Sequence, residues 1–169
     1  MRSNPQRVAW IVLCTAFVVF CILIVGVPLG LRFYLYNSME AQSAQMQVIE
    51  GTVLVQEDNG GDPRGVTEFA EVSAGDEVIT DDASWATLDL FERSHITLYR
   101  EAKVRLDQVE TPAFSISDQP NQIALNVTGG IVRVGVALPR ERDTMFRVIT
   151  PHAQVELEEG SYRIEVSND

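Results

Sequence analysis

The sequence predicts an all-β extracytoplasmic domain, a β-sandwich or β-solenoid-like, preceded by one transmembrane α-helix. Three observations carry that expectation. Residues 8–31 contain no charged side chain and are bracketed by Arg7 and Arg32. Beyond position 48 the apolar residues recur with period two, the repeat that places alternate side chains on one face of a strand. Glycine, proline and aspartate separate those runs at intervals of about ten residues, which suits short strands joined by tight turns.

At about 1.5 Å of rise per residue the uncharged segment exceeds the roughly 30 Å of a bilayer's hydrocarbon layer. It is read as a helix over 8–32, with Trp10, Phe17, Phe20, Gly26 and Gly30 in the anchor. A cleaved secretory signal is the rival, but the run is too long, and Arg32, Phe33, Tyr34 and Tyr36 precede the first small-residue stretch at 41–44. Gly26 and Gly30 form a small-xxx-small spacing for helix contact, interrupted by Pro28. Cys14 and Cys21 lack the small-residue context of a lipid-attachment site. They stand about 10 Å apart on one helical face, too far for an internal disulfide, and are read as apolar packing or as a bridge to a neighbouring helix.

Arg2 and Arg7 lie before the segment and acidic chain lies after it, so the N-terminus is expected in the cytoplasm. The expected order is a cytoplasmic tail 1–7, a transmembrane helix 8–32, a polar stalk 33–47 and a β domain 48–169. Arg2, Arg7 and Arg32 flank the segment; 13 basic residues less these three leaves 10 against all 24 acidic ones, about −14 for the outer part. Such a field repels phosphate backbones, so nucleic acid is not expected as a partner. The lipid bilayer and other membrane or extracytoplasmic protein subunits are. Cysteine is absent beyond position 21, which excludes a disulfide framework or thiolate metal site from the outer domain.

The strand runs follow in order. Val53 and Val55 open the series; Ala86, Leu88 and Leu90 share a face; Ile96 and Leu98, then Val104 and Leu106, continue it. Ile123, Leu125 and Val127 alternate, as do Val132, Val134 and Val136, then Phe146 and Val148, and finally Tyr162, Ile164 and Val166. Turns are expected at Gly75-Asp76, Asp81-Asp82, Gly129-Gly130, Pro139, Pro151 and Gly160. Two longer surface loops are expected at 57–65 and 107–120. The first, Glu57-Asp58-Asn59-Gly60-Gly61-Asp62-Pro63, invites a calcium reading, but its spacing fails the EF-hand pattern and suits an ordinary turn, so no metal is assigned.

In order and spacing these residues resemble the FecR-type domain of extracytoplasmic regions of bacterial single-pass proteins. Gly51-Thr52-Val53 looks like the family's opening strand, and Ala74-Gly75-Asp76-Glu77-Val78-Ile79-Thr80 like its Gly-Asp turn and following strand. Ala86-Thr87-Leu88-Asp89-Leu90 and Ser94-His95-Ile96-Thr97-Leu98 are similar to its next two strands. Gly129-Gly130-Ile131-Val132-Arg133-Val134 and Phe146-Arg147-Val148-Ile149-Thr150-Pro151-His152-Ala153 resemble its glycine turn and Thr-Pro signature. The resemblance implies a bacterial cytoplasmic-membrane protein with its C-terminal domain in the periplasm or outside the cell.

The departures bear on function. Members that pass a signal to a cytoplasmic sigma factor use a folded N-terminal region, and residues 1–7 are too few to form one. Glu92-Arg93-Ser94 lacks the usual turn glycine, and Glu158-Glu159-Gly160-Ser161-Tyr162 replaces a more basic turn. The strand Tyr162, Arg163, Ile164, Glu165, Val166 ends close to Asp169 and is expected to be an open edge where a partner docks.

Catalysis finds little support: His95 and His152 are the only histidines, and no nucleophile elbow, zinc-protease helix motif or phosphate-cradling loop occurs. The expected function is a non-catalytic membrane-anchored module that binds or senses a partner protein. A structural accessory subunit of a larger membrane complex and a cell-envelope carbohydrate-binding protein are the alternatives. No cofactor is assigned and no small-molecule ligand is named.

Overall fold

A computed structural model describes residues 5–58, 60–137 and 142–167. The tail residues 1–4, the loop residue Asn59, the turn former Pro139 and the terminal Asp169 lie outside them. The described chain forms two units, one made of helix α1 (Pro5–Asn37) with Ala113–Asp118, the other holding the strands.

In the first unit, α1 carries a segment, Ala9–Asn37, that is long and apolar enough to cross a membrane, with an 18-residue stretch of mean hydropathy 2.9 of which none is buried. Trp10, Phe17 and Phe20 are exposed along it, and a Cβ added at Gly26 or Gly30 would meet nothing within 4 Å. Cys14 and Cys21 are free thiols on its surface. Thr15 donates its hydroxyl to the Ile11 carbonyl at 2.8 Å, which satisfies the hydroxyl within the helix itself.

The helix runs five residues past Arg32 and closes on its own polar residues. Asn37 donates its side-chain amide to the Phe33 carbonyl at 2.8 Å, and Ser38 donates N–H and hydroxyl to the Tyr34 carbonyl at 3.0 and 2.8 Å. Carbonyls that a helix end leaves unpaired thereby gain donors. The Arg32 guanidinium lies 5.3 Å from the centre of the Tyr36 ring one turn on.

In the second unit the strands are β1 (Met39–Ala41), β2 (Ala44–Glu50), β3 (Val53–Gln56), β4 (Arg64–Val66), β5 (Phe69–Val72), β6 (Glu77–Ile79) and β7 (Trp85–Asp89). They continue with β8 (His95–Leu98), β9 (Lys103–Pro112), β10 (Asn121–Val136), β11 (Thr144–Ile149), β12 (Gln154–Leu157) and β13 (Gly160–Val166). The expected stalk is thus not a stalk. Its aromatic start continues the helix, and Ala44, Met46 and Val48 alternate inward as a strand, buried at every second position.

One sheet runs β4-β3-β6-β9-β10-β11-β12, with β1 also on β9; the other runs β13-β10-β8-β7-β2-β5. Strand β10 belongs to both. Its first half pairs with β9 and β11, its second half with β8 and β13. Apart from the parallel β10–β11 pair, the neighbours are antiparallel, so the arrangement is two sheets joined through a shared strand and not a coil of parallel rungs. Inward side chains of both sheets merge in one core, with Val53, Val78, Leu106 and Phe146 from one and Met46, Leu88, Ile96 and Leu98 from the other.

Two expectations are corrected here. Gly129-Gly130 does not turn the chain; both lie within the sixteen residues of β10. Gly130 has φ +77°, the register with β9 shifts between Val127 and Gly129, and a Cβ on Gly130 would lie 2.3 Å from the Glu101 carbonyl oxygen. The glycines bend a continuous strand from one sheet into the other, at a place where another backbone passes too close for a side chain. The loop expected at 107–120 is also shorter, because β9 continues to Pro112.

The Gly75-Asp76 turn has a clear construction. Gly75 sits at φ +96°, where a Cβ would come within 2.6 Å of the Asp58 Cβ, and the buried Asp76 carboxylate accepts N–H groups from Ser73 at 2.8 Å and Asp58 at 3.2 Å. Gly51, at φ +80°, passes equally close to Ser84. Thr150 and Pro151 open the link from β11 to β12. There the Thr150 hydroxyl accepts the Ala153 N–H at 3.0 Å and the Thr150 N–H donates to the Ala153 carbonyl at 2.8 Å.

Candidate functional site

The outward faces of β13, β10 and β8 gather basic side chains on a protein of net charge −11. In β10 the buried Val132, Val134 and Val136 point into the core, so the two-residue repeat sends Ile131, Arg133 and Gly135 outward. The ladder register then aligns Gly135 with His95 and Ser161, Arg133 with Thr97 and Arg163, and Ile131 with Glu165. Tyr99, just past β8, donates its N–H to the Ile131 carbonyl at 3.0 Å.

The result is a groove of about 430 Å³ lined by Tyr99, Arg100, Ile131, Arg133, Ser161 and Arg163. An adjoining hollow of about 400 Å³ adds Arg93, His95, Thr97 and Gly135. Gly135 makes room for the imidazole across the ladder: a Cβ there would lie 2.4 Å from His95 Cε1. Arg93, the last residue of the short 3-10 turn Phe91–Arg93, holds φ +65°, a conformation few residues other than glycine adopt.

Arg133 and Arg163 are directly opposed across two antiparallel strands, an arrangement in which like charges oppose pairing. Their own partners are modest. Arg133 Nε donates to Ser161 Oγ at 2.9 Å, and Arg163 reaches Glu165 at 3.4 Å with both side chains more than 60% exposed, a pair worth at most about 1 kcal/mol. Guanidinium forks placed in this way suit a carboxylate or another planar anion.

The groove borders the strand expected to be an open edge. Among the described residues β13 pairs with β10 alone, which leaves its other side without a strand. Tyr162 and Ile164 pack half-buried on the core and Val166 is buried, while Ser161, Arg163 and Glu165 face outward. The edge residues and the arginine groove therefore form one continuous surface.

The remaining candidates stay separate from it. Glu57, Asp58, Glu71, Ser73 and Asp76 line an acidic hollow of about 490 Å³ beside the glycine-rich loop. Among the described residues no three His, Cys, Asp or Glu side chains converge on a metal-sized position. His152 is exposed in the β11–β12 link, on the other sheet from His95. Asp81, in the turn before β7, is held below the usual carboxylate range first by the Ser84 hydroxyl and then by the Ala83 N–H, which reaches Asp81 Oδ1 at 3.0 Å. Arg105 is raised by its hydrogen bond and charge contact with Asp107 at 2.6 Å.

The groove was not anticipated from the sequence. Arg100, Arg133 and Arg163 are thirty or more residues apart in sequence order, and only register brings them together. The legible signal was an arginine at the outward position of two apolar alternations, between Val132 and Val134 and between Tyr162 and Ile164. No protein-family model, curated protein or solved structure matches the chain.

Proposed function

We propose that this protein is a non-catalytic, membrane-anchored module that binds a partner protein on the β13 edge and the arginine groove beside it. The observation that carries the reading is the pairing of an open strand edge with Arg100, Arg133 and Arg163 on an otherwise acidic molecule. An extended segment of the partner adds to β13 through its main chain, and its acidic side chains meet the guanidinium groups. Main-chain bonds supply affinity and the arginines supply selection.

Helix α1 is the anchor in this reading, with its N-terminus in the cytoplasm and the β domain outside it, as Arg2 and Arg7 support. The FecR-type resemblance supports a bacterial cytoplasmic membrane and a role in extracytoplasmic signalling. The test uses the full chain purified in mild detergent together with the protein that copurifies with it. Amide exchange across residues 160–166 slows severalfold in the complex, and Arg163→Glu releases the partner; exchange unchanged by the partner refutes docking at this edge.

A further inference from the structure

We infer that the loop Ala113–Asp118 is a second contact with the lipid surface, held at the headgroup layer by the end of α1. This rests on the reading of α1 as a membrane span.

Three contacts tie the loop to the helix end. Ala113 donates its N–H to the Ser38 carbonyl at 2.9 Å, and the buried Ser117 donates its hydroxyl to the Tyr36 carbonyl at 2.7 Å. The Phe114 ring meets the Tyr34 ring edge to face at 5.9 Å. Two of these contacts give donors to main-chain oxygens at the helix end beyond the last turn's own capping, which fixes the loop to that end.

The position along the helix sets the depth. The uncharged run ends at Arg32, and Tyr34, Tyr36 and Ser38 follow it by two to six residues, about 3 to 9 Å further along the axis. The headgroup region on one side of a bilayer is roughly 5–7 Å deep, so the anchoring atoms fall within it or at its outer margin.

The composition agrees. Residues 111–117, Thr-Pro-Ala-Phe-Ser-Ile-Ser, carry no charge in an acidic domain and are bounded by Glu110 and Asp118. Ile116 is 54% exposed in the loop, and Phe33 and Tyr34 are exposed on the helix, Tyr34 beside Phe114 of the loop. Aromatic and aliphatic side chains at this level partition into the interface, and the loop thereby widens a single helix into a broader foothold.

The test places single spin labels in the full chain carrying Cys14→Ser and Cys21→Ser, reconstituted in phosphatidylcholine vesicles, and compares collisions with oxygen and with a water-soluble nickel chelate. A label at Ile116→Cys should favour oxygen severalfold over a label at Val155→Cys, an exposed site on β12. Equal ratios at the two sites overturn the inference. A label at Phe20→Cys separates the two failures. If it reads deep while Ile116 reads wet, only the loop contact falls; if it reads wet as well, the membrane reading falls with it.

Discussion

Replacing Arg133 with glutamate should raise the melting temperature of the β domain and, on the proposed docking at the arginine groove, abolish capture of the partner. In the native ladder Arg133 stands opposite Arg163, and both side chains project outward. Taking the charged tips as about 7 Å apart across the strands, two like charges in water cost about 0.6 kcal/mol, and reversing one sign converts that cost into a similar gain. The swing is about 1.2 kcal/mol. Loss of the exposed Arg133–Ser161 hydrogen bond removes about 0.5 kcal/mol, leaving a net gain near 0.7 kcal/mol. For a domain of this size that is about 2–3 °C in Tm. Thermal melting of the full chain in detergent, followed by circular dichroism of the strand signal, measures it. Raising the salt should stabilise the native protein more than the variant, because repulsion is screened in one and attraction in the other. A variant that melts more than about 2 °C below the native protein refutes the account of opposed arginines.

Two further outcomes follow from turns and from titration. Gly130 and Gly60 share positive φ, but a Cβ at Gly60 meets nothing within 4 Å while one at Gly130 meets the Glu101 backbone. Gly60→Ala should therefore cost only the left-handed conformation, about 1 kcal/mol, and Gly130→Ala about 3 kcal/mol, read from urea midpoints; equal midpoints refute the close approach. Asp81 has a folded-state pKa below its unfolded value, so its contribution is complete above the ordinary carboxylate range and is lost as pH falls through the lowered value. An Asp81→Ala variant should show a shallower loss of Tm on acidification below about pH 4, and a parallel profile refutes the assignment.

Much of the fold was legible because burial imposes period two. Ala86, Leu88, Ile96, Leu98, Val104 and Leu106 are all buried and all were expected on strands. The short strands β4, β5 and β12 were not legible: three or four residues with one buried position each leave too little alternation to see. Strand β2 could have been read earlier from Ala44, Met46 and Val48, but intervening glutamines gave that stretch the composition of a linker. Gly129-Gly130 misled because the same freedom of φ serves a turn and a bend within a strand, and only the passing Glu101 backbone distinguishes them. The arginine groove lay beyond sequence reasoning for a different reason: alternation gives the face of each residue, whereas strand order and register are set by the whole core.

The sixteen residues of β10 serve as a common spine for both sheets. Neither layer can dissolve while its neighbour persists, since pulling out that spine strips ladder bonds from β8, β9, β11 and β13 together. The head is thereby made indivisible. A protease nick within the spine would dismantle both sheets at once.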